Sequence, residues 1–362
     1  MRVNDLFYRL EETAIRNYRI YCAKKNARHY YHLFKLHNIK KRSLTKEQKR
    51  QVDKIWGGIG MYDYSTHILV YSVTGKFDPY VCPELLFRTY IEMKLNNQPF
   101  KDAWADKGYF NLHFCKDLFP KTIACNINGT FYDEDYNVIS EEDVIGRINK
   151  YDRYVIKPTV DSGMGKGVTL VSRDMDTAAI FNEYKKNYIL QEVFEQHDIL
   201  RSFNPSSVNI IRMVSLFING EVIPLMAAVR CGGEGSFNDN SITPDGLGMF
   251  VIGIDDKGTL KDAAVHSCGK IIRKCPNGTE FCGVQIPGFE KMKEIVKDYH
   301  SKLGYFGFIG WDFAVNKSGD PIIMEYNIKC PGILYYQYVN GPLFGKRTDE
   351  IVDYLKKNKG QQ

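Results

Sequence analysis

The chain has 362 residues, a formal net charge of +6, 44% hydrophobic and 25% charged residues. That is the composition of a globular protein with room for two or three domains, and no run approaches the roughly 18 apolar residues that would span a bilayer. Nine cysteines, odd in number and scattered, suit reduced thiols in a cytosol better than a disulfide framework.

Charge is spread unevenly. Residues 1–54 hold fifteen Lys and Arg against five Asp and Glu, so the remainder is net acidic. A basic segment of this kind is either a solvated helical face or the contact for an anionic partner. Tyr18, Tyr21, Tyr30 and Tyr31 among the cations favour a membrane surface over nucleic acid, because aromatic rings suit an interface. The first twenty residues carry charges throughout and no apolar h-region, so no cleaved secretory signal is expected. The predicted location is cytoplasmic, peripheral to the inner face of the membrane where the basic segment meets it.

Taken in order, residues 4–37 read as one or two helices, with apolar positions recurring at three and four. Ser43 or Thr45 caps a helix that carries Glu47 in its first turn and stops at Gly57-Gly58. Residues 64–73 fit a short strand or a buried helix, and residues 83–95 a further helix. Residues 122–127 are a strand, 129–137 a turn-rich hairpin, and Ser140 caps a helix to about residue 150.

Residues 154–171, YVIKPTVDSGMGKGVTLV, are two β-rich runs around a loop with Gly163, Gly165 and Gly167. Glycines let backbone N–H groups close on an anion, and Lys157 and Lys166 add positive charge. The loop lacks the G-x-x-x-x-G-K-[ST] pattern. It also precedes strand-formers rather than the helix that a dinucleotide fingerprint requires. Two readings remain: a hairpin folded over a nucleotide, or an ordinary glycine-rich turn. A helix over 177–187 and a strand over 188–194 follow. Gln191, Glu192 and Val193 at that strand's end suit an adenine edge, and Gln196, His197 or Asp198 could reach a ribose.

Residues 208–218 and 221–230 form a hairpin around Asn219-Gly220, the strongest short hairpin signal. Residues 232–248 are a long loop, 249–254 a strand, 266–287 irregular and 289–303 an amphipathic helix. The last hairpin pairs 308–315 with 321–328 around residues 317–320. Its apolar strands carry Asp312, Glu325 and Asn327, which are costly to bury without partners. With that loop, Asn316 pairs with Pro321, and Asp312 falls opposite Glu325 on one face. Two carboxylates and an amide oxygen converging there suit Mg²⁺; the other reading is one structural acid and a solvent-facing pair. Arg212 and Arg230 lie in strands that tolerate a guanidinium only with anionic company, either phosphate oxygens or an acidic side chain. His266, Cys268, Cys275 and Cys282 lack the tight C-x₂₋₄-C spacing of structural zinc sites, which favours free thiols in a loop.

The order of Lys121, Lys157 with its glycine hairpin, Gln191-Glu192, Asn209 with Arg212, then Asp312, Glu325 and Asn327 resembles the ATP-grasp superfamily. ADKGYFNLHF around Lys107, SFNPSSVNIIR, the Asp239-Asn240 loop and GWDFAV…IIMEYN look like its sugar-transfer-associated branch, linked to cell-surface polysaccharide synthesis. The likeness covers about residues 100–335 and departs at GMGKG, where Met164 separates glycines that are consecutive in many relatives.

The resemblance implies an α+β ATP-grasp fold, with two lobes sandwiching ATP behind a basic, mostly helical N-terminal region. Expected divisions are 1–75, a small α/β region at 76–121, a lid lobe at 122–204 and a body at 205–362. ATP and one or two Mg²⁺ ions are the implied cofactors. Lys121 and Lys157 would contact phosphates, with Gly163, Gly165, Lys166 and Gly167 over them. Gln191, Glu192, Val193, His197 and Asp198 would hold the nucleoside, and Asp312, Glu325 and Asn327 the metal. Arg212, Arg230 and Asn327 would serve the reacting centre. The implied activity is a carboxylate–amine ligase working through an acyl phosphate on a sugar-linked substrate of capsule or O-antigen synthesis. The same site would serve a kinase, and a basic binding module without catalysis is the non-enzyme reading.

Overall fold

The computed structural model describes residues 3–160, 165–236, 239–240, 243–329 and 331–357. The N-terminal part is helical: α1 (Val3–Leu36), α2 (Lys46–Trp56), α3 (Ser65–Thr74), α4 (Glu84–Leu86), a π-helical turn (Phe87–Ile91), α5 (Glu92–Leu95), α6 (Lys101–Trp104) and α7 (Phe110–His113). Then come β1 (Thr122–Ile127), β2 (Thr130–Tyr132), β3 (Val138–Ile139), α8 (Glu141–Ile148), β4 (Arg153–Pro158), β5 (Thr169–Ser172), α9 (Thr177–Tyr184) and β6 (Tyr188–Glu192). After α10 (Asp198–Phe203) follow β7 (Ile210–Ile218), β8 (Glu221–Cys231), β9 (Phe250–Ile254), β10 (Leu260–His266) and β11 (Ile271–Ile272). The chain closes with α11 (Phe289–Lys302), β12 (Phe308–Val315), β13 (Pro321–Asn327), α12 (Leu334–Asn340) and α13 (Thr348–Lys357).

Local chemistry accounts for many boundaries. Thr45 opens α2 through a capping box: its hydroxyl accepts from Gln48 N at 3.1 Å, and Gln48 Oε1 accepts from Thr45 N at 2.9 Å. Ser140 opens α8 in the same way with Asp143. Asn219 and Gly220 take φ of 51° and 78°, the left-handed pair that closes a two-residue hairpin with the strands' own twist. Residues 65–74 are helical, ended by Gly75 in the left-handed conformation.

Among the described residues the strands form two antiparallel sheets, ordered β3-β2-β1-β6-β4-β5 and β11-β10-β9-β8-β7-β12-β13. The first sheet buries Ile123, Tyr154, Ile156, Tyr188 and Leu190 under α8 and α9. Its other face carries Val155, Lys157, Ile189 and Gln191, since cross-strand partners share a side. The second sheet buries Ile211, Met213, Trp311, Phe313 and Tyr326 against α11. Its opposite face is covered by α2, residues 82–91 and α13 at one end, through Val214, Leu216 and Phe308. α12 packs Tyr336 on Ala228 and Val251 beside them. The remaining end of that face is polar, with Arg212 6.0 Å from the ring centre of Tyr336 in α12.

Two elements differ from the sequence reading. Residues 266–287 were expected to be irregular, yet His266 ends β10 and residues 271–272 form β11, an edge strand pairing Ile271 with Val265. The Lys261-Asp262 interruption in LKDAAVH hides β10, whose Asp262 is exposed while Leu260, Ala264, Val265 and His266 are buried. The N-terminal helices are held by Glu92, fully buried, which accepts from Arg19 of α1 and Lys101 of α6 on its two oxygens.

Candidate functional site

That polar end of the second sheet carries the charges. Asp312 of β12 stands opposite Arg212 of β7, so the two side chains rise from one face. Arg212 donates to both carboxylate oxygens, through Nε to Oδ1 and through Nη2 to Oδ2 at 2.6 Å. Arg230 of β8 donates through Nε to Asp239, and its Nη2 lies 3.5 Å from Asp312 Oδ2. Asn327 Nδ2 donates to the same oxygen at 3.2 Å. Burial by itself would push the Asp312 carboxyl up, but Arg212 and Arg230 outweigh it and hold its pKa below the ordinary value. At Asp239 burial wins over Arg230, and its pKa is raised.

The hairpin register puts Glu325 beside this group by an unexpected route. Val315 pairs with Pro321, Ala314 with Ile322 and Phe313 with Ile323, whereas Asp312 pairs with Glu325. The turn is therefore residues 316–320, closed by Asn316 Oδ1 accepting from Ser318 N at 3.0 Å and Asp320 N at 2.9 Å. Asn316 does not pair with Pro321 as expected. A bulge at Met324 adds back the missing residue and turns Glu325 to the face of Asp312. Gly310 forms the floor: a Cβ there would lie 3.3 Å from Arg212 Cδ and 3.7 Å from Asn327 Cβ.

Two lysines reach this face from outside the sheet. Lys107 sits in a turn started by Asp106, whose Oδ1 accepts from Gly108 N at 2.8 Å. The Lys107 backbone N–H donates to Thr159 O beyond β4 at 3.0 Å, and its ammonium lies 3.1 Å from Glu325 Oε1. This turn thus ties the first sheet to the second. The Lys157 ammonium of β4 makes no hydrogen bond or ion pair among the described residues. Burial and, next, the nearby Lys107 lower its pKa while Glu325 opposes them, and the net result is about 8. Lys107 was not among the expected site residues, although the ADKGYFNLHF stretch that carries it was part of the family resemblance.

The other expected residues fall elsewhere. Lys121 is 65% exposed and pairs with Glu192 at 2.7 Å; Tyr151 Oη donates to the same carboxylate oxygen at 2.6 Å. Glu192 pairs with Tyr154 and Ile189 with Lys157, so the partner of Lys121 and the position opposite Lys157 lie about 10 Å apart along β6. Gln191 Nε2 donates to Pro120 O at 3.0 Å, and Val193 follows half-buried. His197 caps α10, its Nδ1 accepting from Ile199 N at 3.3 Å, with Asp198 exposed in the first turn. Gly163 lies outside the described residues. Gly165 and Gly167 each take φ of 71°, which a side chain would strain, and Lys166 between them is exposed. Among the described residues no group of three or more His, Cys, Asp or Glu is placed to hold a metal ion.

Mg²⁺ nevertheless fits the last hairpin. Glu325 Oε2 and Asn327 Oδ1 have no partner among the described residues, and they share a face with Asp312. Four cations (Lys107, Lys157, Arg212, Arg230) meet three carboxylates (Asp239, Asp312, Glu325). That imbalance favours an anionic ligand.

Two antiparallel sheets joined at this charged face by the Lys107 turn define the class, which is the ATP-grasp fold. The chain belongs to the sugar-transfer associated ATP-grasp family, whose model matches residues 94–353. A search of curated proteins found no match. Similar solved structures include the VanG D-Ala:D-Ser ligase of Enterococcus faecalis, at 18% identity and a TM-score of 0.42, covering 70% of this chain and 62% of that one. Another is the biotin carboxylase domain of the Hydrogenobacter thermophilus 2-oxoglutarate carboxylase, at 12% and 0.42, covering 69% and 45%. A third is the L-amino acid ligase of Bacillus licheniformis, at 13% and 0.38, covering 76% and 54%. The chain thus spans less than two thirds of the length of each of these three.

Proposed function

We propose that this protein is an ATP- and Mg²⁺-dependent carboxylate–amine ligase acting on a sugar-linked substrate of surface polysaccharide synthesis. The observation that carries the reading is Lys157, an unpaired, partly buried ammonium in one sheet that feels Glu325 in the other. An isolated buried cation is costly, and a phosphate chain between the sheets would supply its missing partner. In this reading residues 122–204 are the lid lobe and 205–362 the body.

Asp312, Glu325 and Asn327 would hold the metal, which supplies charge neutralisation for the phosphates when bound. Lys107 and Lys157 orient the phosphate chain, with Gly165, Lys166 and Gly167 closing over it. The backbone at Glu192-Val193 would meet the adenine, and Asp198 the ribose. Arg212 and Arg230 keep a positive field on the reacting end, where developing negative charge needs stabilising. A substrate carboxylate oxygen attacks the γ-phosphorus as its bond to the β–γ bridging oxygen breaks and ADP leaves. An amine then attacks the acyl carbon, forming the amide and releasing phosphate. Positioning and electrostatics do this without a covalent enzyme intermediate.

The test offers the protein Mg-ATP with pools of amino acids, uronic acids and amino sugars. A ligase yields ADP and free phosphate in step with amide, and hydroxylamine traps a hydroxamate. ADP with phosphate retained on a sugar and no hydroxamate would make it a kinase. AMP with pyrophosphate would make it an adenylating enzyme.

A further inference from the structure

The basic N-terminal segment is not used by the site, and the structure gives it an organised outer face. Helix α1 runs for 34 residues, about 51 Å. Its inner face is anchored by Leu33 and Phe34, nearly fully buried, and by the Arg19–Glu92 pair. At 100° per residue, Lys24, Lys35, Arg28 and Lys25 occupy one arc of about 120° on the opposite side. Leu10, Tyr18, Tyr21 and Leu36 fall within that same arc, 57%, 68%, 56% and 52% exposed. Apolar and aromatic side chains are therefore interleaved with cations on a single outward ridge. The exposed Lys and Arg from residue 24 to 54 have no acidic partner among the described residues, Arg50 excepted, which pairs with Glu47.

We infer that this face of α1, with the cations that follow it to residue 54, docks on an anionic phospholipid surface. Lysines and arginines meet the headgroup charge, while the tyrosines and leucines enter the interfacial layer. Nucleic acid is the less suitable partner. Leu10 and Leu36 gain nothing from a phosphodiester backbone, whereas a headgroup layer takes up both kinds of side chain. No described helix is long and apolar enough to cross a membrane, so the contact is peripheral. It also has a direction: His37, just past α1, lies 2.5 Å from Asp245 O, and Leu33 packs against Gly246. Both belong to the loop that carries Asp239, the partner of Arg230. The docked helix would hold the arginine end of the cleft beside the membrane, where a lipid-borne substrate would arrive. The docking itself does not depend on the chemistry proposed for the cleft.

The experiment is co-sedimentation of the full chain with vesicles of phosphatidylcholine alone or mixed with phosphatidylglycerol, at low and high salt. Binding is expected only to the anionic vesicles and is expected to weaken with salt. Each cation near such a surface contributes roughly fivefold, so Lys24→Gln/Lys25→Gln/Arg28→Gln should weaken binding about a hundredfold. Tyr18→Ser/Tyr21→Ser should weaken it at every salt concentration. Both variants should keep the wild-type melting temperature and Mg-ATP response, since the replaced side chains are exposed. No sedimentation with anionic vesicles at low salt would overturn the inference. So would undiminished binding by either variant, or binding of duplex DNA with vesicles ignored.

Discussion

Two buried clusters in this chain set cations against carboxylates and differ in completeness. Around Glu92, two cations meet one carboxylate and one amide. Arg19 and Lys101 occupy its two oxygens, and Gln98 Oε1 accepts from Arg19 at 3.3 Å and from Lys101 at 3.0 Å. Arg19 also donates to Arg88 O at 2.9 Å. Around Asp312, the arginines are equally well engaged, but Lys157 has no partner and Glu325 and Asn327 each keep an oxygen unused among the described residues. A buried cluster that satisfies itself is a staple, because removing one member strands the others. One left unfinished has free energy in reserve for a ligand that completes it.

The comparison can be broken at either cluster. The largest effect is expected at the staple: Glu92→Gln takes from Arg19 and Lys101 the carboxylate they share and should cost about 3–5 kcal/mol in chemical denaturation. Mg-ATP affinity of the remaining folded protein should be unchanged. A variant that melts like the parent would show that the Glu92 cluster is not structural. Next comes Glu325→Gln, which should lower turnover about 100- to 1,000-fold, as losing one charge-stabilising group does. Steady-state rates near the parent's would remove Glu325 from the site.

Lys157→Met sharpens the contrast. It should weaken ATP binding by about tenfold or more, the scale of a hydrogen bond to a charged group, without lowering the melting temperature of the nucleotide-free protein. A stability loss with intact binding would make Lys157 a structural residue like Lys101. The same residue sets a pH dependence. With its pKa near 8 in the free protein, the ammonium discharges above that pH. A phosphate partner would hold the proton on, so binding takes up a proton and affinity falls as pH rises past about 8. Calorimetry in buffers of different ionisation enthalpy would read that uptake, and Lys157→Arg should abolish it. For stability the sign is opposite. The unfolded chain holds this proton at higher pH than the folded one, so from pH 8 towards 10.5 this group makes folding more favourable.

The smallest effect is expected at Lys121, whose exposed pair with Glu192 should contribute less than about 1 kcal/mol to stability. Lys121→Ala should also disturb ATP binding less than Lys157→Met. The reverse order in a titration would return Lys121 to the phosphates.

Short-range chemistry was legible in the amino-acid sequence. The caps at Thr45 and Ser140 and the Asn219-Gly220 turn depend on residues within a few positions of one another. The period of two that puts Glu325 and Asn327 on one face is likewise local. Family-level motifs around Lys157, Arg212 and Asp312 were visible for the same reason. What the tertiary structure decided is which distant side chains meet. Arg212 and Asp312 are 100 residues apart and pair because β7 and β12 are neighbours in the sheet. Glu325 reaches their face through a bulge that no composition signal marks, and Lys107 joins it because its turn bridges both sheets. Lys121 meets Glu192 because β1 and β6 are paired there. Turn and cap preferences act through a few bonds, whereas strand order and charge partners are settled by packing the whole chain at once, and that left the partners of these charges to the fold.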